Sequence, residues 1–442
     1  MDALLIADPF PIASGGGQRS YQVLLQCHRV GITPHVIFPP FAMGHTIGLG
    51  KRNPEMDRDL LKSFSILEGA GIHFLTRDFF TDQYMMPGDE LRISALIGKY
   101  LYYTFSLVTY PHSVQRYIDR YCKNLPDVDL VYSHHENLDC VLLAYFLAHS
   151  LKKPFIIYLQ GVPYVSLKDD LFSRDFSRLR SLVNIPQIIG MNLAARMIYS
   201  KTVKSPHFRG FLANSTVPLT RFRLESTPHA ILRPPVAIDP VLTRYRCKKA
   251  DYAVCVSRIS IEKGVLDLPA IWSNVVKINP DARLFVFGNP SKLSKTILDM
   301  AEKQGISRNL LLMGYQPPHE LFTAVSRARV MVFPSQKMKD AYPIALIESL
   351  ALGTPVVTYD IEPYVSMFSG IDAVRNVAFR DFEAMGKEIC KWMDAGEDEY
   401  QQVFQSHRLN EFLALHSSWE RVAVSERENL AFLMDQNKGS SQ

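Results

Sequence analysis

Residues 1–38 read MDALLIADPFPIASGGGQRSYQVLLQCHRVGITPHVIF, and this stretch predicts the fold class. The short apolar run Ala3–Ala7 is typical of a buried parallel strand. A loop rich in proline and glycine follows at Asp8–Gly17, then a segment with helical spacing at Ser20–Arg29 and a second apolar strand at Pro34–Phe38. Strand, helix and strand in this order form a βαβ unit, so an open parallel sheet covered by helices is expected.

The same alternation continues along the chain and restarts in its second half. It predicts further strands at Leu130–Ser133, Phe155–Leu159, Gly210–Ala213, Tyr252–Val256, Arg283–Phe287, Leu310–Met313, Val330–Phe333 and Pro355–Thr358. Intervening helices are predicted at Leu138–Leu151, Asp267–Val276, Lys292–Gln304 and Ile344–Leu352. The fold class is therefore α/β, with two Rossmann-like domains. We place the first at 1–232, with an insertion at 41–122, and the second at 240–410, with the proline-rich segment Pro228–Pro240 as the hinge.

Composition narrows the possible functions. The 442 residues carry a formal net charge of +5, which is too weak a basic excess to indicate nucleic-acid binding. The six cysteines show no C-x-x-C spacing, so neither a disulfide framework nor a zinc site is predicted. The chain begins without the basic region of a signal peptide, and no apolar run is long enough to span a bilayer. A cytoplasmic protein is expected, with peripheral contact to the cytoplasmic face of a membrane as an option.

That option comes from the segment 166–223, which combines many arginine and lysine residues with apolar ones. One interpretation is a set of core-packing helices with a solvated basic face. The alternative is an interfacial surface that holds a lipid-linked acceptor at an anionic membrane.

Two short segments predict contacts with an anion. Gly16 and Gly17 belong to the glycine-rich stretch after the first strand, where backbone N–H groups and a helix N-terminus could meet a phosphate; a plain tight turn is the alternative. Arg258 and Lys263 directly follow the strand Tyr252–Val256. Ligands of open α/β sheets bind at this end of the strands, and both cations suit phosphate oxygens.

A third segment carries two acidic residues around a helix start. Asp340 and Glu348 flank the sequence AYPIALI, in which Pro343 suits a first helical turn, and Gly353 suits the position after the helix. Glu348 interrupts an apolar run. We therefore expect its buried carboxylate to have a hydrogen-bond donor.

Together these residues resemble the retaining glycosyltransferases of family four, which have the GT-B fold of two Rossmann-like domains facing each other across a cleft. The resemblance covers about Asp251–Thr358 in order and spacing. It implies that Arg258 and Lys263 correspond to the R-x4-K pair that grips the donor diphosphate. Asp340 and Glu348 correspond to the E-x7-E element, in which the first acid faces the donor sugar and the second the nucleotide ribose.

The resemblance also assigns residues around these pairs. Further donor-binding residues are Gly16, Gly17, Gly314, Tyr315, Tyr342, Pro343, Ile344 and Ala345. Gly314 and Tyr315 correspond to the residues that contact the base. The stretch from Tyr342 to Ala345 corresponds to the residues whose backbone amides contact the sugar and the phosphate. A C-terminal helix at about 415–435 is expected to return to the first domain.

Two positions depart from the family pattern. Asp340 is shorter by one methylene than the usual glutamate, and Gln160 stands where the family usually has a histidine. Glutamine can form hydrogen bonds but cannot take up a proton. His135, with Glu136 beside it, is our candidate to substitute as a catalytic residue on the acceptor side, while a merely structural role for His135 or for its neighbour His134 is the alternative.

The predicted function is transfer of a sugar from a nucleotide-sugar co-substrate to an acceptor, with retention of anomeric configuration. The expected acceptor is a saccharide, such as a lipid-linked one, and neither a cofactor nor a metal is expected. Asp127-Val128-Asp129 mimics a metal-binding D-x-D sequence but precedes a strand, so we interpret it as a turn. The alternatives are a nucleotide-sugar epimerase on the same fold and a non-catalytic partner subunit that binds a nucleotide sugar.

Overall fold

The computed structural model of the chain describes residues 1–7, 15–39, 54–76, 118, 125–161, 185–336, 342–362 and 364–436. The chain forms two compact units. The first comprises Met1–Pro235 and Trp419–Gln442, and the second comprises Val236–Ser418. Each contains a parallel β-sheet with helices, which confirms the predicted fold class of two parallel α/β domains.

The sheet of the first unit has seven strands in the described residues. They are β1 (Asp2–Ile6), β2 (Thr33–Ile37), β3 (His73–Phe74), β4 (Leu130–Ser133), β5 (Phe155–Leu159), β6 (Phe208–Ala213) and β7 (His229–Ile231). Their order is β3-β2-β1-β4-β5-β6-β7, and all neighbours are parallel. All five side chains of β5 are buried, which explains why its sequence FIIYL is a continuous apolar run.

Five helices of the first unit precede its boundary in the described part of the chain. They are α1 (Gly15–Gln26), α2 (Pro54–Gly69), α3 (Leu138–Leu151), α4 (Ile185–Val203) and α5 (Val217–Phe222). Helix α3 has the predicted bounds and is largely buried in the core of the unit. Within the predicted insertion at 41–122, the structure describes α2, β3 and Ile118, and the tyrosine-rich stretch lies outside the described residues.

One prediction for a loop in this unit is wrong. Helix α1 begins at Gly15, so Gly16 and Gly17 belong to its first turn rather than to a loop. The two units divide between Pro235 and Val236, within the predicted hinge Pro228–Pro240, and this segment also contains strand β7, which pairs with β6. Three residues suffice for this edge strand, which is too short to show an alternating pattern of its own.

The second unit has a six-stranded parallel sheet in its described residues. Its strands are β8 (Ala250–Val256), β9 (Leu284–Phe287), β10 (Leu310–Gly314), β11 (Ala328–Phe333), β12 (Val356–Tyr359) and β13 (Val374–Val377), in the order β10-β9-β8-β11-β12-β13. The five predicted strands are present, and β13 was not predicted. Its helices are α6 (Leu268–Ile278), α7 (Lys292–Lys303), α8 (Pro318–Arg327), α9 (Ile344–Ala351), α10 (Tyr364–Met367), α11 (Phe382–Asp394), α12 (Glu397–Phe404) and α13 (His407–Leu415).

The last helix, α14 (Trp419–Asp435), is part of the first unit, where a buried ion pair joins it to α1. Arg19 of α1 donates to Glu426 of α14 and, through Nε, to the carbonyl oxygen of Pro235 at 2.8 Å. Its guanidinium lies over the ring of Tyr158, 3.9 Å from the centroid. Arg19 and Glu426 are each only 2% exposed, so the pair is shielded from water.

Strand β4 and the residue that follows it supply two further partners for Glu426. The hydroxyl of Tyr132 donates to its carboxylate at 2.7 Å, and His134 Nε2 lies 3.2 Å from the same oxygen. Burial alone would raise the pKa of Glu426, but Arg19, His134 and Tyr132 outweigh burial and lower it to about 2. The network therefore favours an ionised carboxylate that ties the C-terminal helix to the N-terminal α1 and to the central strand β4.

We predict that Glu426→Gln destabilises the protein by about 3–5 kcal/mol at pH 7, because Arg19 then lies buried without a counter-charge. The folded-state pKa of Glu426 lies below its ordinary value of 4.5. The contribution of the ionised Glu426 carboxylate to the stability of the folded protein is therefore complete above about pH 4.5 and is lost as the pH falls toward about 2. Urea unfolding of both proteins between pH 7 and pH 2 measures the difference, which should shrink on acidification. Glu428→Gln, at an exposed position of the same helix, is the control, and a difference independent of pH would contradict the assignment.

Candidate active site

The candidate site of the second unit lies at the carboxyl ends of β8 and β11, the two adjacent central strands. The strand order reverses between them, which is where open parallel sheets form a crevice for ligands. Arg258 follows β8 directly and is 64% exposed, with Glu262 Oε1 3.6 Å from its guanidinium. Lys263 ends a short 3₁₀ helix, and its Nζ lies 5.5 Å from the ring centroid of Phe333, the last residue of β11. Both predicted cations thus stand at the predicted edge.

Gly264 allows the segment with the two cations to lie against β11. Its φ of +68° is in the left-handed region, and a Cβ at this position would stand 1.7 Å from the carbonyl oxygen of Pro334. Ser335 and Gln336 continue the contact, since each donates to the carbonyl oxygen of Glu262. The turn after β8 and the chain after β11 therefore form one packed edge.

Asp340 lies outside the described residues, whereas both flanks of its segment are described. On the N-terminal flank, the side chain of Gln336 donates to Asp267 Oδ2 at 2.5 Å. Asp267 is 5% exposed and also accepts a hydrogen bond from Tyr359 at 3.0 Å, while Arg380 Nε lies 3.7 Å away. From the sequence alone, Asp267 is predicted only as the start of a helix. Its partners come from strands and loops about 70 to 110 positions away, so no local pattern could indicate its role.

On the C-terminal flank, the chain enters helix α9. Pro343 is the N-cap residue rather than part of the first turn, and no side chain caps the helix. Ile344 and Ala345 form its first turn, where backbone N–H groups have no partner within the helix. Gly353 has φ +80° and directly follows the C-cap residue Leu352, as predicted. The positive dipole end of the helix thus lies at Ile344 and Ala345.

Glu348 lies one turn into α9 and is partly buried. Burial raises the pKa of its carboxyl from 4.5 to about 7. No described residue donates a hydrogen bond to this carboxylate, so the expected internal donor is absent from the part of the chain that the structure describes. A partly buried carboxylate with a raised pKa and open acceptor capacity is suited to a ligand that brings hydroxyl donors.

Tyr342, which precedes the N-cap residue of α9, is held by His416, a residue that no sequence pattern indicates. Its hydroxyl lies 2.5 Å from Nε2 of His416, and the two rings stack with centroids 5.6 Å apart. His416 is 1% exposed and follows helix α13. The two residues are 74 positions apart, so only the tertiary structure reveals the contact.

The edge of the same sheet continues at β10, which ends at Gly314. Gly314 adopts φ +72°. The carbonyl oxygen of Gly314 accepts a hydrogen bond from the backbone N–H of Gly288, which directly follows β9. Tyr315 follows with 64% of its surface exposed. A largely exposed aromatic ring beside a strand end is available to stack on a planar ligand group.

In the first unit, the carboxyl ends of β4 and β5 bring three predicted acceptor-side residues together. His135 Nδ1 lies 3.3 Å from Glu136 Oε2, and the same carboxylate oxygen accepts the backbone N–H of Gln160 at 3.0 Å. The adjacent His134 points into the buried network of Glu426 instead. Of the two histidines, therefore, only His135 is partly exposed, at 23% of its side chain.

Gln160 is oriented by its neighbours on both sides. Its side-chain amide nitrogen donates to the carbonyl oxygen of His134 at 2.9 Å, which turns Oε1 away from that strand as an acceptor. Its own carbonyl oxygen accepts from Asn214 Nδ2 at 2.6 Å. Asn214 was not predicted as a site residue, although its position directly after β6 at the carboxyl edge could have indicated it.

The described part of the chain contains no group of three or more His, Cys, Asp or Glu residues that could hold a metal ion. The two carboxylates of the D-x-D sequence have separate partners. Asp127 pairs with Lys153 at 2.7 Å, and Asp129 accepts from the backbone N–H of Asp2 at 2.9 Å. They tie the loop before β4 to neighbouring elements.

Comparison with known proteins identifies a matching family and several similar proteins. Residues 246–404 match the family described as Glycosyl transferases group 1. A poly(glycerol-phosphate) alpha-glucosyltransferase of Bacillus subtilis is 30% identical over 138 residues, which are 31% of this chain and 19% of that protein. A D-inositol 3-phosphate glycosyltransferase of Corynebacterium urealyticum is 27% identical over 177 residues, which are 38% and 40% of the two chains. This chain thus spans well under half the length of these relatives.

Solved structures define the fold over nearly the whole chain. Sucrose-phosphate synthase from Thermosynechococcus elongatus superimposes with a TM-score of 0.65 at 13% identity, covering 99% of this chain and 100% of its own. HepE of Anabaena, solved with UDP and glucose, gives a TM-score of 0.63 at 11% identity and covers 98% and 99%. The fold is that of the GT-B glycosyltransferases. The family match and these relatives support the glycosyl transferases group 1 family for the segment that carries Arg258, Lys263 and Glu348.

We predict that Gly264→Ala destabilises the second unit by clearly more than Gly305→Ala. Both glycines have positive φ, which costs an alanine about 1–2 kcal/mol, but a Cβ at Gly305 meets no atom within 4 Å. At Gly264 the added Cβ must displace the chain after β11, and Lys263 with it. Urea unfolding monitored by circular dichroism compares the two variants. Equal losses of stability would show that the close approach to Pro334 does not constrain this edge.

Proposed function

We propose that this protein is a glycosyltransferase that moves a sugar from a nucleotide-sugar donor to an acceptor with retention of anomeric configuration. The observation that carries the proposal is that Arg258 and Lys263 follow β8 and that α9 follows the adjacent parallel strand β11, inside the segment that matches Glycosyl transferases group 1. All three features are positive, and a diphosphate is the dianionic group that they suit.

In this proposal the positive groups act on the leaving group. As the bond between sugar and phosphate lengthens, negative charge gathers on the diphosphate. We propose that Arg258 and Lys263 stabilise that charge together with the dipole of α9, because preorganised charge of this kind is usually a large catalytic contribution. We propose that these cations serve without a metal ion, which assays with and without a chelator would test. The departing phosphate oxygen then receives the proton of the acceptor hydroxyl.

The acidic residues and the aromatic ring would select the donor. We propose that Asp340 contacts the donor sugar and that Glu348 accepts hydrogen bonds from ribose hydroxyls. The raised pKa of Glu348 supports its role, because hydroxyl donors would compensate a carboxylate that burial otherwise disfavours. Tyr315 and Gly314 would hold the base. Gly16 and Gly17 would add backbone N–H groups from the first turn of α1.

On the acceptor side, Gln160 would orient a hydroxyl through its amide oxygen and cannot act as a base. His135 is the titratable candidate at this edge, with Glu136 3.3 Å from its Nδ1. The carboxylate of Glu136 also accepts the backbone N–H of Gln160, which couples the two positions.

We predict that Arg258→Ala and Lys263→Ala each reduce sugar transfer at least about 100-fold while the protein stays folded, because a preorganised donor to developing charge is lost. A thermal-shift screen with UDP, GDP and ADP sugars first identifies the donor, since a ligand of the folded state raises its apparent stability. Transfer is then measured with that donor, and the anomeric configuration of the product is read by NMR. Arg283→Ala, an exposed arginine at the opposite end of β9, is the control.

The same assay separates the alternatives. Full activity in both variants would contradict the diphosphate assignment. A rearranged nucleotide sugar formed without an acceptor would favour the epimerase. Donor binding with no turnover across a panel of acceptors would favour a non-catalytic partner subunit.

We further propose that the acceptor is lipid-linked and that helix α4 contacts the cytoplasmic face of an anionic membrane. Leu193 and Met197 are one helical turn apart and are 58% and 44% exposed, while Ile198 is buried. Arg196 and Lys201 are exposed beside them. An apolar pair flanked by cations suits the headgroup region of anionic lipids. No helix in the described residues is long and apolar enough to cross a bilayer.

We predict that the double substitution Leu193→Asp and Met197→Asp weakens sedimentation with phosphatidylglycerol vesicles about tenfold, through lost apolar contact and added negative charge. Unfolding by urea should be nearly unchanged because both side chains are exposed. Leu298→Asp, at a 46% exposed position of α7, is the matched control. Equal binding of the double variant and the control would contradict a membrane contact through α4.

A further inference from the structure

The pair Tyr342–His416 links the start of α9 to a rigid point of the second unit. Nδ1 of His416 lies 2.7 Å from the carbonyl oxygen of Phe412. Because a carbonyl oxygen can only accept a hydrogen bond, Nδ1 carries the proton and donates it. Nε2 is then the unprotonated nitrogen of the neutral ring, so it accepts the hydroxyl of Tyr342. The direction of the hydrogen bond follows from the helix carbonyl that fixes the tautomer.

His416 is itself held from several sides. Its ring packs on Phe412 with centroids 4.4 Å apart, and its backbone carbonyl oxygen accepts from the N–H of Ile238 at 2.8 Å. With 1% exposure, the imidazole has little freedom to reorient. Burial lowers its pKa, which keeps the ring neutral near pH 7. The acceptor atom offered to Tyr342 is therefore fixed in place and in protonation state.

The start of α9 needs such a contact because it lacks the usual one. A capping side chain normally sets where a helix begins, but the N-cap residue here is Pro343, and no side chain caps the helix. Tyr342 directly precedes that proline. A tertiary hydrogen bond from Tyr342 can do what a capping residue does elsewhere, namely fix the direction in which the first backbone N–H groups of Ile344 and Ala345 point.

We propose that His416 is a positioning residue for the donor site, acting through the hydroxyl of Tyr342 on the backbone amides at the start of α9. The role rests on the proposed function of those amides in binding the donor. His416 touches no donor atom in this proposal. The proposal therefore adds to the donor site a residue that lies outside the segment from Asp340 to Glu348.

Two aromatic substitutions remove the hydrogen bond from either side. Tyr342→Phe removes the donor, and His416→Phe keeps a ring but removes the acceptor. His416→Gln offers an amide oxygen near the place of Nε2 and is the rescue variant. Tyr400→Phe is the matched control, because Tyr400 also donates a buried hydroxyl to backbone carbonyls in this unit, those of Arg329 and Trp392.

Hydrogen–deuterium exchange of the full chain without donor tests the contact directly. The peptide that contains Tyr342–Glu348 should exchange at least about threefold faster in Tyr342→Phe and in His416→Phe, since one hydrogen bond contributes roughly this much to a local equilibrium. The control should leave this peptide unchanged, and His416→Gln should restore slow exchange.

Steady-state kinetics then test the consequence for the donor. In both aromatic variants kcat/KM for the donor should fall about three- to tenfold, while KM for the acceptor stays constant. The double variant should lose no more than the larger single loss, because both changes break the same contact.

The outcomes separate the two levels of the proposal. Unchanged exchange in both aromatic variants, or additive kinetic losses, overturns the role of His416. If the wild-type chain transfers sugar from none of the donors tested, the proposed function is overturned. If the aromatic variants nevertheless show the expected faster exchange, His416 remains the residue that holds the start of α9.

Discussion

Parallel pairing in both sheets is the constraint on which the rest of the structure depends. In a parallel sheet every strand ends at the same edge, so the segments that follow β8 and β11 must meet although they are about 75 residues apart in the chain. This is why Arg258 and Lys263 stand beside the chain that leads to α9. The close approach of Gly264 to Pro334 shows how little space separates the two segments. The chemistry of the candidate site is thus a consequence of strand direction first and of side chains second.

The first unit depends in addition on an ion pair between the two ends of the chain. Arg19 lies near the N-terminus and Glu426 near the C-terminus, and the pair is buried with Tyr132 and His134. Removing one partner would leave an uncompensated charge in an apolar core. The resulting loss of stability is far larger than the net stabilisation that the intact pair provides. The network also explains the orientation of the His134 side chain. It faces the core, so only its neighbour His135 remains at the accessible edge.

Two buried polar residues support the flanks of the segment that carries Asp340. Asp267 holds Gln336 on one side, and His416 holds Tyr342 on the other. Both are nine-tenths or more buried, and neither belongs to the sequence pattern that resembles family four. Precise placement of donor-binding backbone would therefore come from residues whose own contacts are to the protein. This division between residues that bind and residues that position is common where backbone amides are part of a site.

The sequence by itself determined the α/β class, most strand positions and the location of the cations, because apolar runs and the residues that follow them are local signals. It was wrong about Gly16 and Gly17 as loop residues, and it overlooked the three-residue strand β7 inside the predicted hinge. Only the tertiary structure decided that Glu426 neutralises Arg19, that Asp267 holds Gln336, and that His416 accepts from Tyr342. Each of these contacts joins residues about 70 to 400 positions apart, and nothing in the local sequence of either partner encodes the other. Such pairs exist because packing of the sheets and helices excludes water from polar groups, which must then find one another.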